Sequence, residues 1–331
     1  MQHQPLRQNP KGLGHFGKVS LRGKALHLWT RVLIGLLGLA AATAALSQEA
    51  ILPVGPTESA APALPHETIN RVIDGLKEAE RAQYLYERIE RLESRKLAGD
   101  ADPQSVKVSR VVPAGTGITK IGMGPDGKPT DADSYRAELE RLLKTLTWAT
   151  QSGQPQRDAY QRVQKKQKER DDLIDATRNA FVFTFVGHEQ RGDRMLSKYS
   201  MEPNPSFKPT NRTTSIFSKV KGDLWVDDAS QQLARIEGEI TDDISLGLFL
   251  AKVHKGSHFM QDRYEMAPGL WLPTFTQYDF DGRKFFSNFG VHEKTFYSGY
   301  KRIGPPGEAI PQIQSELARL SEAKAKPAAE R

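Results

Sequence analysis

The chain has 331 residues, with 47 Lys and Arg against 40 Asp and Glu, and no cysteine. The absence of cysteine excludes disulfides, a lipobox, Cys-based zinc and iron–sulfur sites and thiol catalysis. Six of the basic residues precede Gln48, leaving 41 against 40 in the remainder, so a nucleic-acid reading, which needs a basic stripe on the folded domain, loses its support.

Those six, Arg7, Lys11, Lys18, Arg22, Lys24 and Arg31, stand without any Asp or Glu in residues 1–47. They lead into an apolar run from Val32 to Leu46 that closes on Ala45-Leu46-Ser47, which is the pattern of a signal peptide. At about 15 residues the run is short of the ~20 that span a bilayer as a helix. The alternative is an uncleaved anchor, because tilt and thinning let short segments span. Residues 1–47 are therefore expected to direct export, with the periplasm as the destination and no integral membrane span after cleavage. Residues 48–65, rich in Ala and Pro, are expected to be a disordered linker.

From Glu67, Ile69, Val72, Ile73 and Leu76 recur at helical spacing to about Arg81. A hairpin follows, its strands around Tyr84–Leu92 and Val106–Val111 joined by the turn-rich Ala98–Pro103. A loop over Gly122–Thr130 precedes a helix capped by Asp131 or Asp133, with an apolar stripe of Tyr135, Leu139, Leu142, Leu143 and Leu146. A more polar helix spans Gln156–Asn179 and carries Lys165, Lys166, Lys168 and Arg170 among Glu169, Asp171 and Asp172, as a solvated face does. Together residues 131–179 read as a helical insertion or hairpin.

Beyond Ala180 the period changes to two. Phe181, Phe183 and Phe185 share a strand face, Arg191-Gly192-Asp193 is a turn, and Arg194–Met201 returns. Strands are then expected over Gly222–Val226, Leu233–Ile240, Leu248–Arg263, Leu270–Phe280 and Arg283–Glu293, with turns at Asp227-Asp228, Pro268-Gly269 and Asp281-Gly282. In Leu233–Ile240, Ala234, Ile236 and Ile240 oppose Arg235, Glu237 and Glu239, which marks one covered and one wet face. Gly304-Pro305-Pro306-Gly307 ends the sheet, a short helix covers Ile310–Leu320, and the chain finishes in a disordered tail.

This order of elements resembles the periplasmic lipoprotein-carrier superfamily of LolA-, LppX- and RseB-like proteins. Gly222-Asp223-Leu224-Trp225-Val226-Asp227 followed by Gln232-Leu233-Ala234-Arg235-Ile236-Glu237 is similar to their strand-turn-strand segment. Phe183–Gly187, Glu202-Pro203-Asn204-Pro205 and Gly269-Leu270-Trp271-Leu272-Pro273 resemble an exported bacterial group of the same architecture. The resemblance covers Glu67 to Ile303. It implies an α+β fold, a strongly curved antiparallel sheet forming an incomplete β-barrel covered by helices, with residues 66–303 as the domain and 304–331 as a short helix and tail. It also implies an apolar cavity for acyl chains in the carriers and a sensor surface in the RseB-like relatives. The charged insertion departs from the carriers.

Chemistry-bearing residues are sparse. His254 and His258 on one strand stand about 13 Å apart, too far to share an ion. Asp223, Asp227, Asp228, Asp242 and Asp243 fall at strand ends and turns, where Asp bonds local backbone. No G-x-S-x-G elbow or phosphate-cradling loop is present. No catalytic residue, metal or cofactor is expected. The aromatic content of the strands is the suggestive feature, because aromatic-lined curved sheets wall hydrophobic ligand sites, although a core packed against helices has the same pattern. The expected lining is Phe181, Phe183, Phe185, Trp225, Ile236, Phe249, Trp271, Phe275 and Phe289. The expected function is non-catalytic: an exported envelope protein that binds a lipid or lipoprotein acyl chain. The alternative is a structural or sensory interaction domain that meets an envelope protein through Gln156–Asn179.

Overall fold

The computed structural model describes residues 65–246, 251–285 and 287–325. The expected signal peptide, the expected linker apart from Pro65, the last six residues of the expected tail and Phe249 lie outside the described residues. Among the described residues no helix is long and apolar enough to cross a membrane.

Helix α1 (His66–Ala82) forms where the apolar spacing predicts it and buries Ile69, Val72, Ile73, Leu76, Ala79 and Ala82 along one stripe. Gly75 lets it lie close to the sheet, since a Cβ there would run into the Gln232 side chain. Strands β1 (Tyr86–Arg95) and β2 (Ser105–Pro113) form the expected hairpin. A third strand, β3 (Ile118–Met123), pairs with β2 and takes in Gly122 and Met123, where the sequence places the start of a loop. Glycines bracket it and only Ile121 is buried, so it carries no alternation to read.

Helix α2 (Ala132–Ala149) is capped by Asp131, whose carboxylate accepts from the Ser134 amide at 2.7 Å. It buries Tyr135, Leu139, Leu142 and Leu146. Helix α3 (Gln154–Ala180) buries only Gln156, Ala159 and Ala180. Of the insertion or hairpin expected for residues 131–179, the two helices do not pack on each other as a hairpin does. Helix α2 packs on the C-terminal helix α4 (Pro306–Ala325), while α3 packs on α1, because α2 has an apolar stripe to bury and α3 has charges to pair. Helix α4 extends beyond the expected Ile310–Leu320 at both ends.

The remaining strands are β4 (Phe181–Arg191), β5 (Arg194–Pro203), β6 (Val220–Asp227), β7 (Leu233–Ile240), β8 (Ile244–Leu246), β9 (Ala251–Val253), β10 (His258–Ala267), β11 (Leu270–Lys284) and β12 (Ser287–Arg302), with a 3-10 turn at Thr214–Lys219. Two expectations fail. The single strand over Leu248–Arg263 is instead β9, a turn at Gly256 (φ 83°) and β10. The expected turn at Asp281-Gly282 lies inside β11, where Gly282 pairs with both Phe289 and Val253; the chain reverses at Phe285, φ 52°. With no Cβ at Gly282, the Phe289 ring and the Lys252 carbonyl lie in its place, so the glycine marks a close approach rather than a reversal.

All strands pair antiparallel in the order β3-β2-β1-β12-β11-β10-β7-β6-β5-β4, with the β8–β9 hairpin joined to the end of β11. The terminal strands β3 and β4 do not pair, so the sheet is open. The fold is α+β, a large curved antiparallel sheet with helices on it. Helices α2 and α4 cover one face at the β2–β3 end, burying Val112, Ile121, Leu139, Leu142, Ile303 and Ile313 together. Helix α1 covers the opposite face, packing on β11 and β7.

Candidate functional site

Cross-strand register places whole rows of side chains on the α1-covered face. One row runs Phe183–Met201–Gly222–Gly238–Phe259–Tyr278 across β4, β5, β6, β7, β10 and β11. The next runs Phe185–Tyr199–Leu224–Ile236 and continues as Gln261–Thr276–Thr295–Leu92. Polarity therefore changes along a single row, between β7 and β10. The β4–β7 half is aromatic and aliphatic, with Phe181 5.4 Å from Phe217 and Phe185 5.6 Å from Tyr199, centroid to centroid. Phe259 and Phe280, 6.4 Å apart, continue it into β10 and β11. Gly222 and Gly238 face each other across β6 and β7; the first admits the β7 backbone and the second leaves room for the Phe259 ring.

The half formed by β10, β11, β12 and β1 is polar although buried. Arg263 is 3% exposed. Its Nε donates to Gln261 Oε1 at 2.7 Å and its Nη1 to the Trp271 carbonyl at 3.2 Å. Among the described residues no carboxylate lies within ion-pair distance of it, and burial pushes its pKa down. Arg88 is also buried. It donates from Nε and Nη2 to Glu90 Oε1 at 3.1 and 2.7 Å, and its Nη1 is buried without a hydrogen-bond partner among the described residues. Burial pushes the Glu90 carboxyl up, but Arg88 and Lys120 outweigh it and hold the group below the usual carboxylate range. The Tyr297 ring lies 6.0 Å from the Arg88 guanidinium carbon. Tyr300, whose hydroxyl donates to the Pro273 carbonyl at 2.7 Å, is raised by burial and feels both Arg88 and Arg263.

Helix α1 lies over this face, and α3 is tied to the back of α1 by charge. Lys77 pairs with Asp175 at 2.5 Å, Arg81 with Asp171 at 2.8 Å, and Arg170 with Glu80 at 2.6 Å. Part-exposed pairs of this kind contribute about 0.5 kcal/mol each, whereas each buried side chain of the α1 stripe contributes about 2 kcal/mol. Burial therefore holds α1 to the sheet, and α3 adds comparatively little.

The structure divides the residues expected to line a cavity. Phe181, Phe183, Phe185, Ile236 and Phe289 share the α1-covered face. Trp225 and Trp271 belong to a separate cluster with Leu196 and Ala234. Trp225 pairs with Lys198 and Arg235, both within cation–π distance, and Arg194 lies 4.9 Å from the Trp271 ring. Phe275 pairs with Phe296 on that same outer face. Trp225, Trp271 and Phe275 alternate with Leu224, Leu272 and Thr276 of the α1-covered face, so strand alternation itself sends their rings to the other side. Arg263, Arg88 and Gln261 are not legible as buried in the sequence, because a polar residue within an alternating strand reads as wet until a helix is seen to cover it.

Other polar clusters have local explanations. Ser197 Oγ donates to Asp228 Oδ1 at 2.6 Å, and His188 Nδ1 stands 3.3 Å from both Ser197 Oγ and Asp228 Oδ2. A nucleophilic relay needs the two imidazole nitrogens to bridge hydroxyl and carboxylate; here one nitrogen faces both, and the hydroxyl proton goes to the carboxylate. His254 lies near Asp243, and His258 pairs with Glu239 and Asp279. Among the described residues no group of three or more His, Asp or Glu could hold a metal. A cleft of about 330 Å³ opens beside α4, lined in part by Arg110, Ile303, Pro311 and Glu316. Arg110 is saturated there, since it bonds Glu87 Oε2 at 2.6 Å, Glu316 at 2.8 Å and the Tyr135 hydroxyl. The Tyr135 phenol, buried and hydrogen-bonded to Glu316, is pushed up to about 12.

An open antiparallel sheet with a helix across one face is thus established. The chain is similar to two solved structures. One is a LolA superfamily protein from Nitrosomonas europaea, at 9% identity over 71% of this chain and 93% of that one, TM-score 0.27. Another is an outer membrane lipoprotein-sorting protein domain from Vibrio parahaemolyticus, at 10% identity over the same shares, TM-score 0.26. No protein-family model and no curated protein matches the sequence.

Proposed function

We propose that this chain is an exported, non-catalytic envelope protein that holds an acyl chain or lipid against the α1-covered face of its open sheet. The observation that carries this reading is the pair of register-aligned rows whose β4–β7 half is aromatic and aliphatic, on the face where the amphipathic helix α1 packs at β7 and β11. A ligand reaches those rows by displacing the α1 stripe. An alkyl chain contributes ~0.8 kcal/mol per buried methylene, so about ten methylenes match what four α1 side chains at ~2 kcal/mol contribute. The exchange is close to balanced, as reversible carriage requires. The α3 ion pairs, worth little each, set a modest additional barrier.

The test is to export the full chain, purify it without detergent and compare native with denaturing mass spectra while extracting the small molecules that leave on unfolding. A stoichiometric lipid is expected. A bare protein that stays bare after incubation with envelope lipid extract would overturn the reading. That result would favour an interaction domain, a reading supported by the outer face of α3, where Lys165, Lys166, Lys168, Glu169 and Asp172 are exposed.

A further inference from the structure

The polar half of the α1-covered face bears on the chemistry of the ligand. The rows Phe185–Tyr199–Leu224–Ile236 and Gln261–Thr276–Thr295 are one continuous line across the sheet, so a molecule lying along it meets hydrocarbon at one end and hydrogen-bonding groups at the other. At the polar end stands Arg263, buried and, among the described residues, bonded to the neutral oxygens of Gln261 and Trp271. On the same face, at β1, further along the sheet beyond β11 and β12, Arg88 keeps one buried Nη1 without a partner among the described residues.

A buried guanidinium without a counter-charge is costly, because the desolvation of the cation is not offset by an anion. No carboxylate forms an ion pair with Arg263 among the described residues, although the charge of Glu80 on α1 reaches it. Glu90 is held by Arg88 and Lys120, and Glu80 by Arg170. Glu293 shares the face, paired in register with Tyr278.

We propose that Arg263, with Gln261, receives the monoanionic head group of an amphiphile whose alkyl chain lies along the aromatic rows. The inference rests on the chain-holding reading above and narrows it to carboxylate or phosphodiester heads. Both chemistries present two oxygens to a guanidinium fork.

The test uses the exported full chain after delipidation, titrated with three probes of equal chain length: palmitate, 1-hexadecanol and palmitoyl lysophosphatidylglycerol. Binding is read by native mass spectrometry at fixed ionic strength. At least one anionic probe is expected to bind about tenfold tighter than hexadecanol, and the tighter of the two anions identifies the head-group source. Arg263→Met is expected to bring the anions to the hexadecanol level while leaving hexadecanol within about twofold. Equal binding of hexadecanol and both anions by the wild type overturns the head-group inference and leaves the chain-holding reading intact. So does an anion preference that survives Arg263→Met. Failure of all three probes to bind overturns the chain-holding reading, and the inference with it. If Arg263→Met does not fold, the wild-type comparison among the three probes still decides.

Discussion

Two arginines buried on opposite faces of the same sheet are in opposite electrostatic situations. Arg110, between α2, α4 and the β1–β2 hairpin, is met by Glu87, Glu316 and Tyr135. Arg263, under α1, is met by an amide oxygen and a carbonyl. The first binds a helix pair to the sheet. The second has hydrogen-bonding capacity but no anion, and it occupies the polar end of the face proposed to hold the ligand. Burial alone does not separate the two roles; the charge of the partners does.

The sharpest way to break the contrast is to remove each cation in turn. Arg110→Met strands two carboxylates and a phenol and is expected to cost about 4 kcal/mol, because breaking a buried pair leaves its partners uncompensated. Arg263→Met leaves only Gln261 and the Trp271 carbonyl short of a donor, so its cost is expected to stay near 1 kcal/mol or to change sign. Urea unfolding midpoints of the two variants at pH 7 check both, and equal losses would erase the comparison.

An acid scan sharpens it further. Glu90 is depressed in the folded state, so the stability it contributes is fully present above the unfolded value near 4.5 and is lost as pH falls through the lower folded value. Thermal midpoints taken between pH 7 and 3 are expected to show this limb in the wild type and to lose part of it in Arg88→Met. The smallest expected effect concerns α3. Asp171→Asn and Asp175→Asn each remove one part-exposed pair with α1 and are expected to cost about 0.5 kcal/mol, a difference that vanishes in about 1 M salt. A much larger loss would mean that α3 is held by more than charge.

Much of this architecture is legible in the sequence because burial leaves a period. Ile69, Val72, Ile73 and Leu76 announce α1, and Ala234, Ile236 and Ile240 announce a half-covered strand. What escapes is decided by neighbours distant in sequence. Ile118–Met123 becomes a strand because β2 offers it an edge. Asp281-Gly282 looks like a turn and is a strand because β9 and β12 both pair with it. Trp225 and Trp271 look like cavity lining by their aromatic character, and their strand parity turns them to the other face, among Arg194, Lys198 and Arg235. Arg263 looks solvated in His258-Phe259-Met260-Gln261-Asp262-Arg263, since nothing local records that α1 lies above it.

The unpaired edges at β3 and β4 carry a mechanical consequence. A closed barrel fixes its circumference through strand number and shear, so widening it breaks a ladder of hydrogen bonds. Here the two ends of the sheet can move apart or together with every existing ladder intact, and the space between sheet and helix becomes an adjustable girth rather than a set diameter. A holder of this kind suits guests of differing length and branching, with the polar end as the fixed point against which they are measured.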